Sequence, residues 1–383
     1  MMISIKASPK RGKALCVCCK LLIVDLDFKY MQFCLLAITK AFLIEKAVLI
    51  TIVIAVSLVI AMYSTWAERK VAGFIQDRLG PNRAGWGGLL QPLADGMKLF
   101  MKEEIIPNAS NKFLFILGPG VAMLTAMMTS AVIPWGNKIE VFGRSIDLQI
   151  ADINIGILYI FGVVSMGVYG IMIGGWASNN KFSLLAALRG ASQMISYELA
   201  MGMSIIALLM VTGSLSLKTI VEQQSAGWWN FFYQPLGFLI FMVCAFAECN
   251  RTPFDLPEAE SELNFGYHQG YSSMKLGFYL FAEYINMFIS STLMATLYFG
   301  GYDIPFVNDA NLLSSLGPNL TATLQALALF AKIFFFIFFF MWVRWTVPRF
   351  RYDQLMNLGW RGMIPLALAN MVITAAFMLW RHG

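Results

Sequence analysis

KAVLITIVIAVSLVIAMYSTW (residues 46–66) runs without a break into AERKVAGFIQDRLGPNRAG (residues 67–85), and this junction decides the fold class. At ~1.5 Å per residue the first stretch is long enough to cross the ~30 Å hydrocarbon core of a bilayer as a helix. The second gathers Glu68, Arg69, Lys70, Asp77, Arg78 and Arg83 just beyond it. Further apolar runs follow at about 113–133, 153–175, 193–213, 233–250, 276–298, 320–343 and 362–380. None alternates like a barrel strand, and backbone polar groups in lipid must be satisfied within their own segment. The pattern predicts an all-α integral membrane protein with eight transmembrane helices and amphipathic interfacial helices in the loops.

Composition agrees. The 383 residues are 58% hydrophobic and only 13% charged, about half the charge of an ordinary soluble domain. Residues 46–383 are expected to form one membrane domain. Residues 1–45 read as an N-terminal extension carrying Lys6, Lys10, Arg11, Lys13, Lys20, Lys29 and Lys40. Its apolar stretch, residues 21–24, is cut off by Asp25 and Asp27 and is short for a signal peptide. Translation from Met31 is the favoured explanation of this segment, and a targeting segment is the other.

The connectors after the first, third, fifth and seventh runs hold Arg69, Arg78, Lys98, Lys181, Arg189, Arg251, Lys275, Arg344, Arg349, Arg351 and Arg361, whereas the opposite connectors hold Lys138, Arg144 and Lys218. The positive-inside rule places the charged loops in the cytoplasm or the equivalent matrix compartment. In the first of these loops Leu89, Leu93, Met97, Phe100 and Met101 recur at helical spacing, with Asp95 and Lys98 on another face. An amphipathic helix lying on the membrane explains that pattern.

Acidic residues enter the apolar runs. Glu198 lies roughly 9 Å and Glu283 about 12 Å inside their spans, and Lys332 about 18 Å from the charged side. Glu248 ends the fifth run, and the connector after it adds Arg251, Asp255, Glu258, Glu260 and Glu262. Such groups cost several kcal/mol each in lipid unless paired, protonated or hydrated. Together they predict a hydrated proton-handling pathway, with static ion pairs between helices as the alternative. Clustered carboxylates raise one another's proton affinity and share protons. Six cysteines show no metal or disulfide framework, and His268 and His382 are too few for a haem or metal centre. No bound cofactor or metal is expected. Nucleotide-binding loops, nucleophile triads and nucleic-acid-binding stripes are absent from the sequence.

Four stretches carry a family resemblance: WAERKVAGFIQDRLGPNRAGWGGLLQPLADGMKLF, SLLAALRGASQMISYELAMG, AECNRTPFDLPEAESEL and PRFRYDQLMNLGW. They resemble the H subunit of proton-pumping NADH:quinone oxidoreductase, the complex I family that includes mitochondrial subunit 1, from about residue 45 to the end. The resemblance implies a subunit forming much of the quinone chamber and coupling quinone reduction to proton translocation. It implies FMN and iron–sulphur clusters only in partner subunits, with other membrane-arm and peripheral-arm subunits, quinone and lipid as partners. By motif, it assigns Arg69, Arg78, Asp95, Lys98, Arg189, Arg251, Tyr284, Arg344, Arg349, Arg351 and Asp353 to the chamber. The proton-coupling set is Glu198, Glu248, Asp255, Glu258, Glu260, Glu262 and Glu283, with Lys332 on the proton path. Gly270 stands where the family usually has a glutamate, and Ala186 and Trp86 are milder departures. A related energy-converting hydrogenase subunit and a stand-alone secondary transporter are the other readings. The first-loop and PRFRYDQLM motifs disfavour the first, and the one-sided charge disfavours the second.

Overall fold

The computed structural model describes residues 40–141, 144–305 and 317–382. The chain divides into two units, Met1–Thr51 and Ile52–Gly383. The predicted extension lies almost wholly outside the described residues.

Helix α1 spans Lys40–Ile75 and carries the opening apolar run into its charged sequel. It is followed by the loop helix α2 (Gln91–Met101), with Pro92 in its first turn, where a missing N–H costs nothing. Leu93, Met97, Phe100 and Met101 are exposed on α2. Next come α3 (Lys112–Thr129), a hairpin of β1 (Lys138–Val141) and β2 (Arg144–Asp147), α4 (Gly156–Ala177) and α5 (Lys181–Thr212). The hairpin pairs Lys138 with Asp147 in antiparallel register and is the departure from an all-α fold among the described residues. Then follow α6 (Leu217–Ala226), α7 (Pro235–Glu248), α8 (Ser273–Tyr298), α9 (Pro318–Thr346), α10 (Tyr352–Asn357) and α11 (Ile364–His382). A π-helical turn, Leu358–Met363, joins the last two.

Among the described residues, seven helical stretches are long and apolar enough to cross a membrane. The fifth predicted run is shorter than the rest. Helix α7 has 14 residues, about 21 Å of helix. Helix α5 is longer than predicted because its polar start is already helical, with the Asn180 side chain accepting a hydrogen bond from the Phe182 N–H.

Helix α8 is the one the others surround. It is the least hydropathic span, yet 78% of its most apolar stretch is buried, against 22–50% for the other six. The two facts have one cause. A helix bearing Glu283, Asn286, Ser290, Ser291 and Thr292 is favoured among protein neighbours rather than against lipid. Helix α9 shows the reverse pattern: it exposes Leu327, Phe334, Phe338 and Trp342 and buries Leu329, Ile333, Phe336 and Phe340. Small residues bring α3 and α4 together beside α8. A Cβ on Gly118 would lie 2.9 Å from Gly174 Cα, and one on Gly174 would collide with Tyr279 Oη. That hydroxyl instead donates to the Gly170 carbonyl at 3.0 Å.

Candidate functional site

The charged ends of α1, α7 and α9 converge on Glu68. Its Oε1 is 2.5 Å from Arg344 Nη1 and its Oε2 is 3.2 Å from Arg251 Nη1. Tyr284 Oη donates to Oε2 at 2.8 Å, and the Arg251 guanidinium lies 4.1 Å from the centre of the Tyr284 ring. Glu68 and Arg251 are both buried. Arg251 is therefore neutralised by a carboxylate and faces an aromatic ring, the two arrangements that offset the cost of desolvating a guanidinium. Sequence reasoning gives Glu68 no role. The signal available for it is an acid placed directly after an apolar run.

The loop after α7 is held from two sides. Gln193 Nε2 on α5 donates to the Ala247 and Phe254 carbonyls at 2.8 and 2.7 Å. Arg349 Nη2 lies 3.1 Å from the buried Asp255 carboxylate, and the Phe350 N–H donates to the Pro253 carbonyl. The loop then folds back through Gly266, whose φ of +59° and close approach to the Pro257 carbonyl leave no room for a side chain.

That return places Tyr267 and His268 beside α8. Tyr267 Oη donates to Glu283 Oε1 at 3.0 Å, and His268 Nδ1 is 3.6 Å from Glu258 Oε1. Burial pushes the Glu258 carboxyl up and the His268 imidazole down to about 3. The His268–Glu258 contact is thus that of a neutral ring rather than an ion pair.

Deeper in the bundle, Glu248 is buried at the end of α7, and one of its carboxylate oxygens lacks a hydrogen-bond partner. A narrow cavity runs between Glu283 and Glu248, past Thr125, Thr129, Asn250 and Asn286, with about 30 Å³ open to the centres of water molecules. A second cavity continues from Glu248 past Asn286 and Ser290. Glu198 accepts a short hydrogen bond from Ser165 Oγ on α4.

The other predicted residues are dispersed. Arg69 pairs with Asp95 at 2.8 Å and Arg189 with Glu262 at 2.9 Å, both near solvent. Arg78 contacts Gln76, and Lys98, Arg351 and Asp353 are exposed. Glu260 begins a short helical turn, Glu260–Leu263, but its side chain lies outside the described residues. Lys332 donates to the carbonyls of Phe299, Gly301 and Asp303 at 2.7, 2.9 and 2.6 Å. Those carbonyls follow the C-terminus of α8, about 22 Å along the helix from Glu283. The lysine thus ties the middle of α9 to the segment that follows α8, away from the carboxylates. Gly270 packs against Ser178 and Phe115 with ordinary room for a Cβ. Ala186 is fully buried, and Trp86 is exposed.

Comparison with known proteins gives concordant matches. The family described as NADH dehydrogenase matches residues 47–375. A Flavobacterium johnsoniae protein, the H subunit of NADH-quinone oxidoreductase, is 66% identical over 89% of this chain and 97% of its own length. A Geobacter sulfurreducens protein, the first of its numbered H subunits of NADH-quinone oxidoreductase, is 50% identical, over 82% of this chain and 88% of its own length. A Rhodothermus marinus protein, NADH-quinone oxidoreductase subunit 8, is also 50% identical, over 81% of this chain and 90% of its own length.

Proposed function

The chain belongs to the NADH dehydrogenase family, as an H subunit of NADH-quinone oxidoreductase, and from that premise we propose that it forms much of the quinone chamber and couples quinone reduction to proton translocation. It is a multi-pass membrane protein whose partners include other subunits of the complex. The observation that carries the proposal is the series of buried polar groups reaching from Glu68 and Arg251, through Glu258, Tyr267 and Glu283, to Glu248.

Reduction of a quinone to a quinol takes up a proton for each electron. The electrons come from FMN and iron–sulphur clusters in partner subunits, and this chain supplies the surroundings of the quinone. Charge appearing on the quinone is answered at the Glu258–Tyr267–Glu283 group, where a proton moves between oxygens already within hydrogen-bond reach. The cavity beyond Glu283 carries the response to Glu248, where the unpartnered carboxylate oxygen awaits a donor. The arginines at Glu68, together with Arg349 on Asp255, hold the loop of residues 251–271 in the posture that closes this series. Arg69, Asp95 and the amphipathic α2 form the lip by which quinone arrives from lipid.

In this reading α7 completes an eighth crossing despite its length. Arg251 after α7 meets the ends of α1 and α9. Trp229, just before α7, donates to Asp303, which follows the opposite end of α8. A helix with its ends at these two places crosses the bundle, and all the charged loops then face the cytoplasm or matrix.

A photoreactive short-tailed quinone bound to the whole complex tests the chamber assignment. It is expected to label this chain within residues 64–71 or 251–271. Labelling confined to other subunits would overturn the assignment.

A further inference from the structure

Glu258, His268 and Glu283 each offer one ligating atom, and these atoms all lie within 4.8 Å of one another, the group of this kind found among the described residues. Clustered acids alone would mean little on a protein surface. Here the third member is a histidine whose side chain is 1% exposed and whose two ring nitrogens have no hydrogen-bond partner. A buried imidazole without a partner forfeits the hydrogen bonds that both ring nitrogens would make in water. It is held between carboxylates from two different segments, one in the loop and one on α8. We propose that Glu258, His268 and Glu283 form a binding site for a divalent transition-metal ion of the zinc class.

The donor set points to that class. One imidazole with two carboxylates suits zinc better than calcium or magnesium, which take oxygen ligands in larger number. Tetrahedral zinc with ligands at about 2.0–2.2 Å separates neighbouring ligand atoms by roughly 3.4 Å. The His268–Glu258 approach of 3.6 Å is already close to that value. Glu258, whose side chain is 21% exposed, is the most accessible of the three. That exposure provides the way in. Tyr267, donating to Glu283 at 3.0 Å, holds the deepest ligand from its outer side, as outer partners of metal ligands do. Three protein ligands leave a fourth position for water, the pattern of an exchangeable ion rather than a closed structural site.

A bound ion would fasten the loop of residues 251–271 to α8 and occupy the two carboxylates assigned above to proton coupling. Zinc at this site therefore inhibits quinone reduction; that consequence rests on the proposed function, whereas the binding itself does not.

The test uses the purified whole complex, equilibrated with buffered free zinc and then desalted, comparing wild type with His268→Asn and Glu258→Gln. NADH:ferricyanide reductase activity, which does not require the quinone site, checks the flavin-bearing partner subunits, and native gel electrophoresis checks assembly. Wild type is expected to retain one zinc more than either variant. Zinc affinity is expected to fall about 10–100-fold in His268→Asn, at least the loss typical of a perturbed metal shell. Zinc inhibition of NADH:quinone reductase is expected to shift by the same factor. Equal zinc content and equal inhibition in wild type and both variants would overturn the site. Zinc lost from the variants with wild-type quinone reductase insensitive to zinc would leave the site standing and contradict the coupling role of its carboxylates. Should both variants fail to assemble, zinc-edge X-ray absorption of the wild-type complex decides: imidazole scattering with oxygen neighbours is expected, and a first shell without imidazole overturns the proposal.

Discussion

Glu68 Oε2 lies 3.2 Å from Arg251 Nη1, with both side chains buried, and this pair joins the end of α1 to the loop after α7. Removing one partner of a buried pair strands the other charge, at a cost of about 3 kcal/mol or more. Glu68→Gln is therefore expected to lower the amount of assembled complex and its thermal stability. Arg251→Met alone should do likewise, and the double variant should be less damaged than the two single losses added together. Thermal-shift measurements on the purified complexes check this, and strict additivity would mean the pair is not coupled.

Tyr267→Phe deletes the hydroxyl that donates to Glu283 at 3.0 Å while leaving the ring in place. A hydrogen bond to an acidic partner contributes about 1.5 kcal/mol, which corresponds to roughly tenfold in rate if it acts in the coupled step. NADH:quinone reductase activity is expected to fall by about that factor, with ferricyanide reductase unchanged.

Two glycines of the same loop should behave differently. Gly266 has φ +59° and faces the Pro257 carbonyl, so Gly266→Ala is expected to cost about 1–3 kcal/mol and reduce assembly. At Gly270 a new Cβ would make only ordinary contacts, at 3.4 Å or more. Gly270→Ala should leave thermal stability within about 0.5 kcal/mol of wild type.

Lys332→Gln leaves three carbonyls beyond α8 without their shared cation. Charge-assisted hydrogen bonds contribute about 1.5–3 kcal/mol each. A lower melting temperature of the complex is the expected outcome, with the protons pumped per electron retained.

The spans were legible in the sequence because lipid imposes a simple condition: enough consecutive apolar residues to satisfy the backbone within one helix. Where other forces act, the pattern was less informative. Helix α5 extends over polar residues that Asn180 caps, and α7 stops at 14 residues. The β1–β2 hairpin contains only four-residue strands, too short to show alternation.

Within the site, the acids inside apolar runs were readable because burial makes each one costly. Their partners were not. Glu68 meets Arg251 and Arg344 only because three helix ends converge. His268 reaches Glu258 and Glu283 only through the loop's reversal at Gly266. Lys332 looked like a member of the carboxylate series by depth alone. Its contacts with the carbonyls of Phe299, Gly301 and Asp303 depend on where α8 ends, which no single-residue depth estimate contains.

The carboxylates between Tyr267 and Glu248 are proposed to couple quinone chemistry to proton movement. The most direct test is NADH:quinone turnover and proton pumping by reconstituted complexes carrying Glu283→Gln or Glu248→Gln, with the iron–sulphur clusters checked by electron paramagnetic resonance. Intact clusters are expected in both, with at least about a tenfold loss of quinone-linked turnover, the low end of what positioned proton-transfer groups contribute. Wild-type turnover and pumping in both variants would contradict the coupling role.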